Sequence, residues 1–158
     1  MGYMSTDLTW QTVSTDSAST MALAIAIGSQ LRGGEVIELV SDLGGGKTTF
    51  VRGLAEGMGS NDKVSSPSFT ISKEYRAGKK TLYHFDFYRL ADPGIVANEL
   101  SELVGDQNAV VAVEWAAIVE DVLPAERLRI HIKTTGETER EFSFSYPEQL
   151  KYLILKEA

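Results

Sequence analysis

The 158-residue sequence predicts a single α/β domain whose mixed sheet is parallel at its centre and carries antiparallel hairpins at its edge. Three observations predict this fold. A short apolar strand leads through a glycine-rich loop into an amphipathic helix. A second, continuously apolar strand follows later, as expected of a strand covered on both faces. Two pairs of alternating segments, each joined by a turn, predict hairpins.

Caps, apolar periodicity and turn residues define each element. Asp16 can cap the first helix, Gly33 marks its end, and Pro147 starts the last helix. The predicted elements, in order, are a helix over 18–31, a strand over 35–40, a helix over 47–58, a hairpin of 69–75 and 81–90, a helix over 92–105, a strand over 109–115, a hairpin of 127–135 and 140–146, and a helix over 147–158.

The strands differ in how their side chains alternate. EVIELV is short and rich in branched residues, and AVVAVEW is continuously apolar, so both predict buried central strands. TLYHFDFYRL alternates strongly and follows the turn RAGKK, which predicts the first hairpin. RLRIHIKTT and REFSFSY alternate around a Gly-Glu turn and predict the second.

Composition restricts the function classes. The formal net charge of -7 argues against strong direct binding of nucleic acid, which needs a basic face to replace phosphate counterions. The absence of cysteine excludes disulfides, thiolate metal sites and a cysteine nucleophile. No apolar run approaches the roughly 18 residues of a membrane span, and we see no leader segment, so we expect a cytoplasmic protein. We expect residues 1–6 to be disordered or a cloning remnant, and give them no structural weight.

The glycine-rich loop ends in Gly46-Lys47-Thr48 and nearly matches the Walker A phosphate-binding pattern G-x-x-x-x-G-K-[ST]. Loop amides and a helix N-terminus attract phosphate, and Gly44 and Gly45 permit close backbone approach. Lys47 would reach the β- and γ-phosphates of a nucleotide, and the Thr48 hydroxyl would bind Mg²⁺. A glycine-rich turn that binds nothing is the alternative, but the strand before the loop and the helix after it favour a nucleotide site.

Ser41 stands where the Walker A pattern has its first glycine. Glycine is required only where φ is positive or a side chain would collide. A serine forced into a left-handed conformation would destabilise the fold by about 1–2 kcal/mol. The three glycines that follow keep the positions nearest the phosphates free. We therefore predict ordinary strand-end dihedral angles at Ser41.

Glu114 ends the apolar strand AVVAVEW. An ionised carboxylate at the end of such a strand is unfavourable unless a cation or hydrogen-bond donors meet it. Beside a phosphate-binding loop, we expect Glu114 to bind magnesium, and the alternative is that it marks the exit of the strand into solvent. The next residue, Trp115, is predicted to be a packing residue, with a lid over the site as the alternative.

Two further segments could line the site. In YHFDFYRL, alternation places three aromatic residues on a core face and His84, Asp86 and Tyr88 on the other. That second face is predicted to be a polar wall of a site, and a solvated strand face with an Asp86–Arg89 ion pair is the alternative. In VSSPSFT, 64–70, residue chemistry favours an ordinary loop, although a γ-phosphate sensor could lie there.

Four segments together resemble the TsaE family, also called YjeE, the bacterial ATPases of the tRNA threonylcarbamoyladenosine pathway. They are DLGGGKTTFVRG, VSSPSFT, YHFDFYRLADP and VEW, followed by Leu123-Pro124, and the resemblance extends from about residue 15 to 132. HFDFYRL is the most specific of them. Departures from the family pattern are Ser41, Gly45 in place of the commoner alanine, and the segment GIVANELSELVGD.

The resemblance implies a P-loop α/β sandwich that binds and hydrolyses ATP with Mg²⁺, weakly by itself. Thr48 and Glu114 would hold the metal, and Asp86 and Lys47 would be catalytic. The implied partners are the TsaD and TsaB proteins, with tRNA reached only through their complex and no membrane involved. The implied nucleotide-binding residues are Thr15, near the base, then Asp42, Leu43, Gly44, Gly45, Gly46, Lys47, Thr48 and Thr49, with Trp115 close to the nucleotide.

Two other function classes compete with this interpretation. A small-metabolite or nucleoside kinase would need a second substrate pocket and usually an arginine-bearing lid, and the arginines here are scattered, with no arginine-rich insertion. A non-enzymatic nucleotide-gated binding module would use ATP only to set a conformation.

Overall fold

The computed structural model describes residues 7–41, 46–61, 72–88 and 94–154. The strands are β1 Leu8–Ser14, β2 Val36–Ser41, β3 Ser72–Ala77, β4 Lys80–Asp86, β5 Ala109–Glu114, β6 Leu128–Thr134 and β7 Arg140–Tyr146. The helices are α1 Ser17–Gly28, α2 Lys47–Gly57 and α3 Gly94–Val104, and two 3-10 helices span Ala116–Val122 and Glu148–Leu153.

The seven strands form one mixed sheet in the order β1-β7-β6-β2-β5-β4-β3. β2 pairs in parallel with both β5 and β6, and β4 pairs in parallel with β5. The β3–β4 and β6–β7 hairpins and the β1–β7 pair are antiparallel. The predicted fold class, with its parallel centre and antiparallel hairpins, is confirmed. Because parallel strands end at the same edge, the carboxyl ends of β2, β5 and β4 lie together.

The sheet separates two apolar clusters, one on each face. Successive residues of β5 point alternately into one cluster and the other. Val110 and Ala112 face a cluster completed by α1, α2 and the last 3-10 helix, whereas Val111 and Val113 face one completed by α3 and the other 3-10 helix. The continuous apolar run of β5 is therefore explained by burial on both faces. No helix among the described residues is long and apolar enough to cross a membrane.

Two terminal elements differ from the sequence expectation. β1 was not predicted, because it is half polar and only partly buried, so its alternation is weak. The predicted C-terminal helix over 147–158 is wrong within the described residues, where a 3-10 helix ends at Leu153. Its three-residue period places Leu150 and Leu153 on one buried side. The Tyr152 hydroxyl donates to Glu35 Oε2 at 2.6 Å and fixes the turn to the start of β2.

Helices α1 and α2 pack closely because glycines remove side chains from their interface. A Cβ added at Gly57 would lie 2.2 Å from the Ile25 carbonyl oxygen, and one added at Gly53 would lie 2.5 Å from Ala24 Cβ. Both distances are far inside van der Waals contact, so neither position has room for a methyl group. The position of α2, and with it the start of that helix, depends on these two glycines and on Gly28, where an added Cβ would lie 2.3 Å from the Leu54 carbonyl oxygen.

Replacing Gly57 by alanine is expected to lower the free energy of unfolding by about 2 kcal/mol, because the helices must move apart. The gain in helix propensity, about 1 kcal/mol, does not offset the clash. Urea denaturation followed by circular dichroism measures the effect. Gly105→Ala is the matched control, since a Cβ there would be 3.9 Å from its nearest neighbour. Equal stabilities of the two variants would contradict the close packing of α1 on α2.

Candidate functional site

The candidate site begins where β2 leads into α2. Gly46 is the N-cap of α2 with φ 96°, in the left-handed region that favours glycine, and no side chain caps the helix there. The first N–H groups of a helix lack intrahelical acceptors, so this terminus is suited to an anion. Among the described residues only Trp115 combines a side chain with positive φ, so Ser41 has an ordinary conformation. The prediction of ordinary dihedral angles at Ser41 is confirmed.

Lys47, His84 and Glu114 meet at the carboxyl edge of the sheet. Lys47 Nζ lies 2.9 Å from Glu114 Oε1, and His84 Nε2 makes a short hydrogen bond with Glu114 Oε2. Each of the three comes from a different element, α2, β4 and β5 respectively. Glu114 and His84 are buried at 4% and 6% exposure. The alternative that Glu114 marks the exit of β5 into solvent is therefore wrong.

The Glu114 carboxylate is stabilised in its ionised form. Burial acts to raise the pKa of Glu114, but the hydrogen bonds and charges of His84 and Lys47 outweigh burial and hold that pKa below its ordinary value. His84 and Lys47 thus stabilise the buried carboxylate charge, a role that the sequence suggested for a metal ion. Glu114 is therefore an anionic carboxylate held beside the start of α2.

The polar face of β4 divides into a buried and an exposed part. His84 points to Glu114, whereas Asp86 and Tyr88 are exposed. Asp86 Oδ1 accepts the Tyr88 backbone N–H at 3.0 Å. In the parallel β4–β5 register, Asp86 lies opposite Glu114, so both carboxylates lie at the same edge of the sheet. The opposite face is core as predicted, with Phe85 and Phe87 fully buried.

Trp115 is held in a strained conformation at the mouth of the site. Its φ of 60° and ψ of 51° are left-handed, which is unfavourable by about 1–2 kcal/mol for a residue with a side chain. The indole is 45% exposed, its centroid lies 4.9 Å from that of Tyr88, and Lys47 Nζ lies 5.7 Å above it. Trp115 therefore packs on Tyr88, while nearly half of the residue stays exposed, where a ligand could contact it.

A second group of residues surrounds the other side of the α2 N-terminus. A cavity of about 230 Å³ opens there. Of the predicted nucleotide-binding threonines, Thr49 lines this cavity. Thr48 and Thr15 are exposed and do not line it, although Thr15 directly precedes the lining residue Asp16. The cavity is lined by Asp16, Ser17, Thr20, Gly46, Thr49, Glu137, Thr138 and Arg140.

Sequence reasoning missed Arg140 and the role of His84. Arg140 starts β7, and its Nε would lie 3.8 Å from a Cβ placed on Gly46, although the two are far apart in sequence. Nothing in the alternating pattern of the second hairpin signals this approach. His84 was included in the polar wall, but its pairing with Glu114 depends on the order of strands, which periodicity does not give.

Several predicted site residues lie outside the described residues. They are Asp42, Leu43, Gly44 and Gly45 of the loop, the segment 64–70, and Arg89 of the predicted ion pair.

The donor set fits magnesium bound together with phosphate rather than an independent metal centre. Within the described ranges, no three His, Cys, Asp or Glu side chains form a cluster that could hold a metal ion. Mg²⁺ prefers oxygen ligands and commonly uses one or two protein groups plus substrate phosphates. The anionic Glu114 carboxylate and the exposed Thr48 hydroxyl satisfy that requirement.

Comparisons with a family model, with protein sequences and with solved structures all match this chain to one family. The family described as "Threonylcarbamoyl adenosine biosynthesis protein TsaE" matches residues 14–142. The chain is 44% identical to the tRNA threonylcarbamoyladenosine biosynthesis protein TsaE of Bacillus subtilis over 87% of this chain and 85% of that protein. It is 33% identical to the Treponema pallidum protein of the same name, over 83% and 96%. The crystal structure of Bacillus subtilis YdiB superposes with a TM-score of 0.74 at 36% identity, covering 96% of this chain and 94% of that one.

Proposed function

Because this chain belongs to the TsaE family, whose members act in tRNA threonylcarbamoyladenosine biosynthesis, we propose that it is an ATP-binding and ATP-hydrolysing subunit. It would use Mg²⁺ and act with the TsaB and TsaD proteins in making N6-threonylcarbamoyladenosine. With a formal net charge of -7, it would reach tRNA through that complex rather than by its own surface. A cytoplasmic site of action follows from this role.

The observation that supports the proposal most is the position of Lys47 and Glu114 relative to the start of α2. A nucleotide site needs a cation for the phosphates, unpaired amides and an acidic magnesium ligand. Lys47 is the first residue of α2, and its ammonium contacts Glu114 at the end of the neighbouring strand β5. All three requirements therefore meet at the carboxyl edge of the parallel strands, where ligands bind in open α/β sheets.

In the proposed reaction, this chain supplies positioning and charge. Lys47 donates to the β- and γ-phosphates, and the amides at the start of α2 donate to the remaining oxygens. Thr48 and Glu114 would hold Mg²⁺, which when bound would neutralise charge on the phosphate oxygens. Asp86, exposed at the same edge as Glu114, accepts a hydrogen bond from the attacking water and orients it. The Trp115 indole, whose centroid lies 5.7 Å from Lys47 Nζ, would lie close to the bound nucleotide.

Steady-state phosphate release from ATP tests the proposal. The purified chain is expected to release phosphate slowly, and faster when mixed with TsaB and TsaD. Phosphate found on a nucleoside or sugar instead would identify a kinase. Binding of ATP with no phosphate release in the presence of both partners would identify a nucleotide-gated module. Co-purification with TsaB and TsaD, with and without ATP, measures the partnership separately.

ATP is expected to change the fluorescence of Trp115, because that ring is exposed within 6 Å of Lys47. The chain has two tryptophans, and Trp10 stacks on Phe144 at 5.3 Å. A Trp10→Phe variant preserves that stacking and leaves Trp115 as the only reporter. We expect a saturable change in its emission as ATP is added. Unchanged emission at an ATP concentration that calorimetry shows to be saturating would place the nucleotide away from Trp115.

A further inference from the structure

His84 makes a contact that the proposed ATPase mechanism does not use. Its Nε2 bonds to Glu114 Oε2, while Lys47 bonds to the other carboxylate oxygen at 2.9 Å. Both carboxylate oxygens are thereby occupied by donors, one from β4 and one from α2. The two donors differ, because the proposed function also requires Lys47 to bind phosphate but assigns no further contact to His84.

Lys47 has two acceptors competing for it. In the structure it pairs with Glu114, but the proposed function requires its ammonium on the phosphates of a nucleotide. When Lys47 donates to phosphate, its contact with Glu114 is shared or given up. Oε1 of Glu114 then becomes available to another cation. A buried carboxylate that loses one of two partners would turn or shift unless the second partner holds it.

His84 is placed to be that second partner. It lies within β4, whose parallel register with β5 sets His84 opposite Ala112, two residues before Glu114. The imidazole is buried and belongs to the central sheet rather than to the loop that receives phosphate. Its contact with Oε2 is therefore fixed by strand pairing and does not depend on where Lys47 points.

We propose that His84 is a positioning residue, which holds the Glu114 carboxylate in place while Lys47 transfers from Glu114 to the nucleotide. Glu114 Oε1 is then presented to Mg²⁺ in an orientation set by the sheet. The proposal rests on the proposed function, because it assumes that nucleotide and Mg²⁺ bind at this site. Partners that orient a metal ligand typically change metal affinity 10–100-fold when removed.

Affinity for ADP, measured by calorimetry in Mg²⁺ and again in EDTA, tests this role. His84→Phe keeps a planar ring but removes the donor, and it should weaken ADP binding about tenfold in Mg²⁺. Its affinity in EDTA should equal that of the wild type. His84→Gln retains an N–H donor and should restore part of the Mg²⁺-dependent gain. His131→Phe is the matched control, because His131 is the other histidine and is exposed on β6.

The outcomes separate the inference from the function. A wild-type chain that binds no ADP overturns the proposed function. Wild-type binding with an unchanged Mg²⁺-dependent gain in His84→Phe overturns the positioning role alone. Equal losses with and without Mg²⁺, or equal losses in the Phe and Gln variants, also overturn it, because they would mean that His84 only packs.

A second measurement is made on the wild-type chain, so it does not depend on whether a His84 variant folds. Nitrogen-15 labelling of histidine gives imidazole signals from only two residues, which His131→Phe assigns. The His84 Nε2 proton is expected to remain hydrogen-bonded when ADP and Mg²⁺ are added. Loss of that bond on nucleotide binding would overturn the proposal.

Discussion

Replacing Lys47 by methionine is expected to reduce ATP affinity at least about 100-fold, since a charged hydrogen bond to phosphate contributes about 3 kcal/mol. Methionine keeps most of the side-chain length and packing and removes only the ammonium. Displacement of a fluorescent ADP analogue measures the change. Lys133→Met is the matched control, because Lys133 is exposed on β6. Equal affinities in the Lys47 and Lys133 variants would exclude Lys47 from the phosphate site.

The Lys47 variant also removes a partner of the buried Glu114, so folding has to be separated from binding. Breaking one side of a buried ion pair is strongly destabilising, whereas neutralising both sides is much less so. The double variant Lys47→Met/Glu114→Gln therefore serves as a stability control. It should unfold closer to the wild type than the single variant does, and it should still fail to bind ATP. A double variant that binds ATP normally would show that the single variant failed through misfolding.

Replacing Asp86 by asparagine is expected to lower the hydrolysis rate about 100-fold or more, in line with the contribution of a positioned general base. ATP affinity should stay within about twofold, since only a transition-state interaction is lost. Asn is nearly isosteric with Asp and retains an oxygen that can accept the Tyr88 N–H. Stimulation by TsaB and TsaD should not restore the rate.

The matched control for Asp86 lies after α3. Asp106 is also exposed, and its Oδ1 accepts the backbone N–H of Asn108, two residues on, at 2.8 Å. Asp86 makes the same local bond with Tyr88, so the two asparagine variants disturb the backbone alike. Asp106→Asn should leave hydrolysis unchanged. Turnover that survives in Asp86→Asn with TsaB and TsaD would show that Asp86 is not catalytic.

Local patterns were sufficient for the elements with strong periodicity. β5 reads as apolar throughout because both its faces are buried, and α2 follows its glycine cap at the position that the Walker A pattern gives. β1 is half polar and was missed, because its stability comes from pairing with β7 rather than from its own pattern. The C-terminal residues have helical propensity, but the Tyr152–Glu35 contact and the burial of Leu150 and Leu153 in successive turns select a 3-10 helix.

In the site, too, residues with a local sequence signal were predicted, whereas contacts between residues far apart in sequence were not. Glu114 and Lys47 were predicted from their local context, a strand end and a helix start. The donation of His84 to Glu114 requires β4 beside β5, and the approach of Arg140 to Gly46 requires the first residue of β7 to lie near the start of α2. Both contacts join residues far apart in sequence, so a single sequence carries no local signal for them. Trp115 was predicted to be a packing residue, and no local pattern signals the left-handed backbone conformation that accompanies its partial exposure.

The most direct test of the central claim is X-ray diffraction from crystals of the chain grown with Mg²⁺ and a non-hydrolysable ATP analogue. We expect the phosphates at the N-terminus of α2, with Lys47 Nζ bonded to phosphate oxygens and His84 still bonded to Glu114. A nucleotide bound elsewhere, with Lys47 remaining on Glu114, would contradict the assignment of this edge of the sheet as an ATP site.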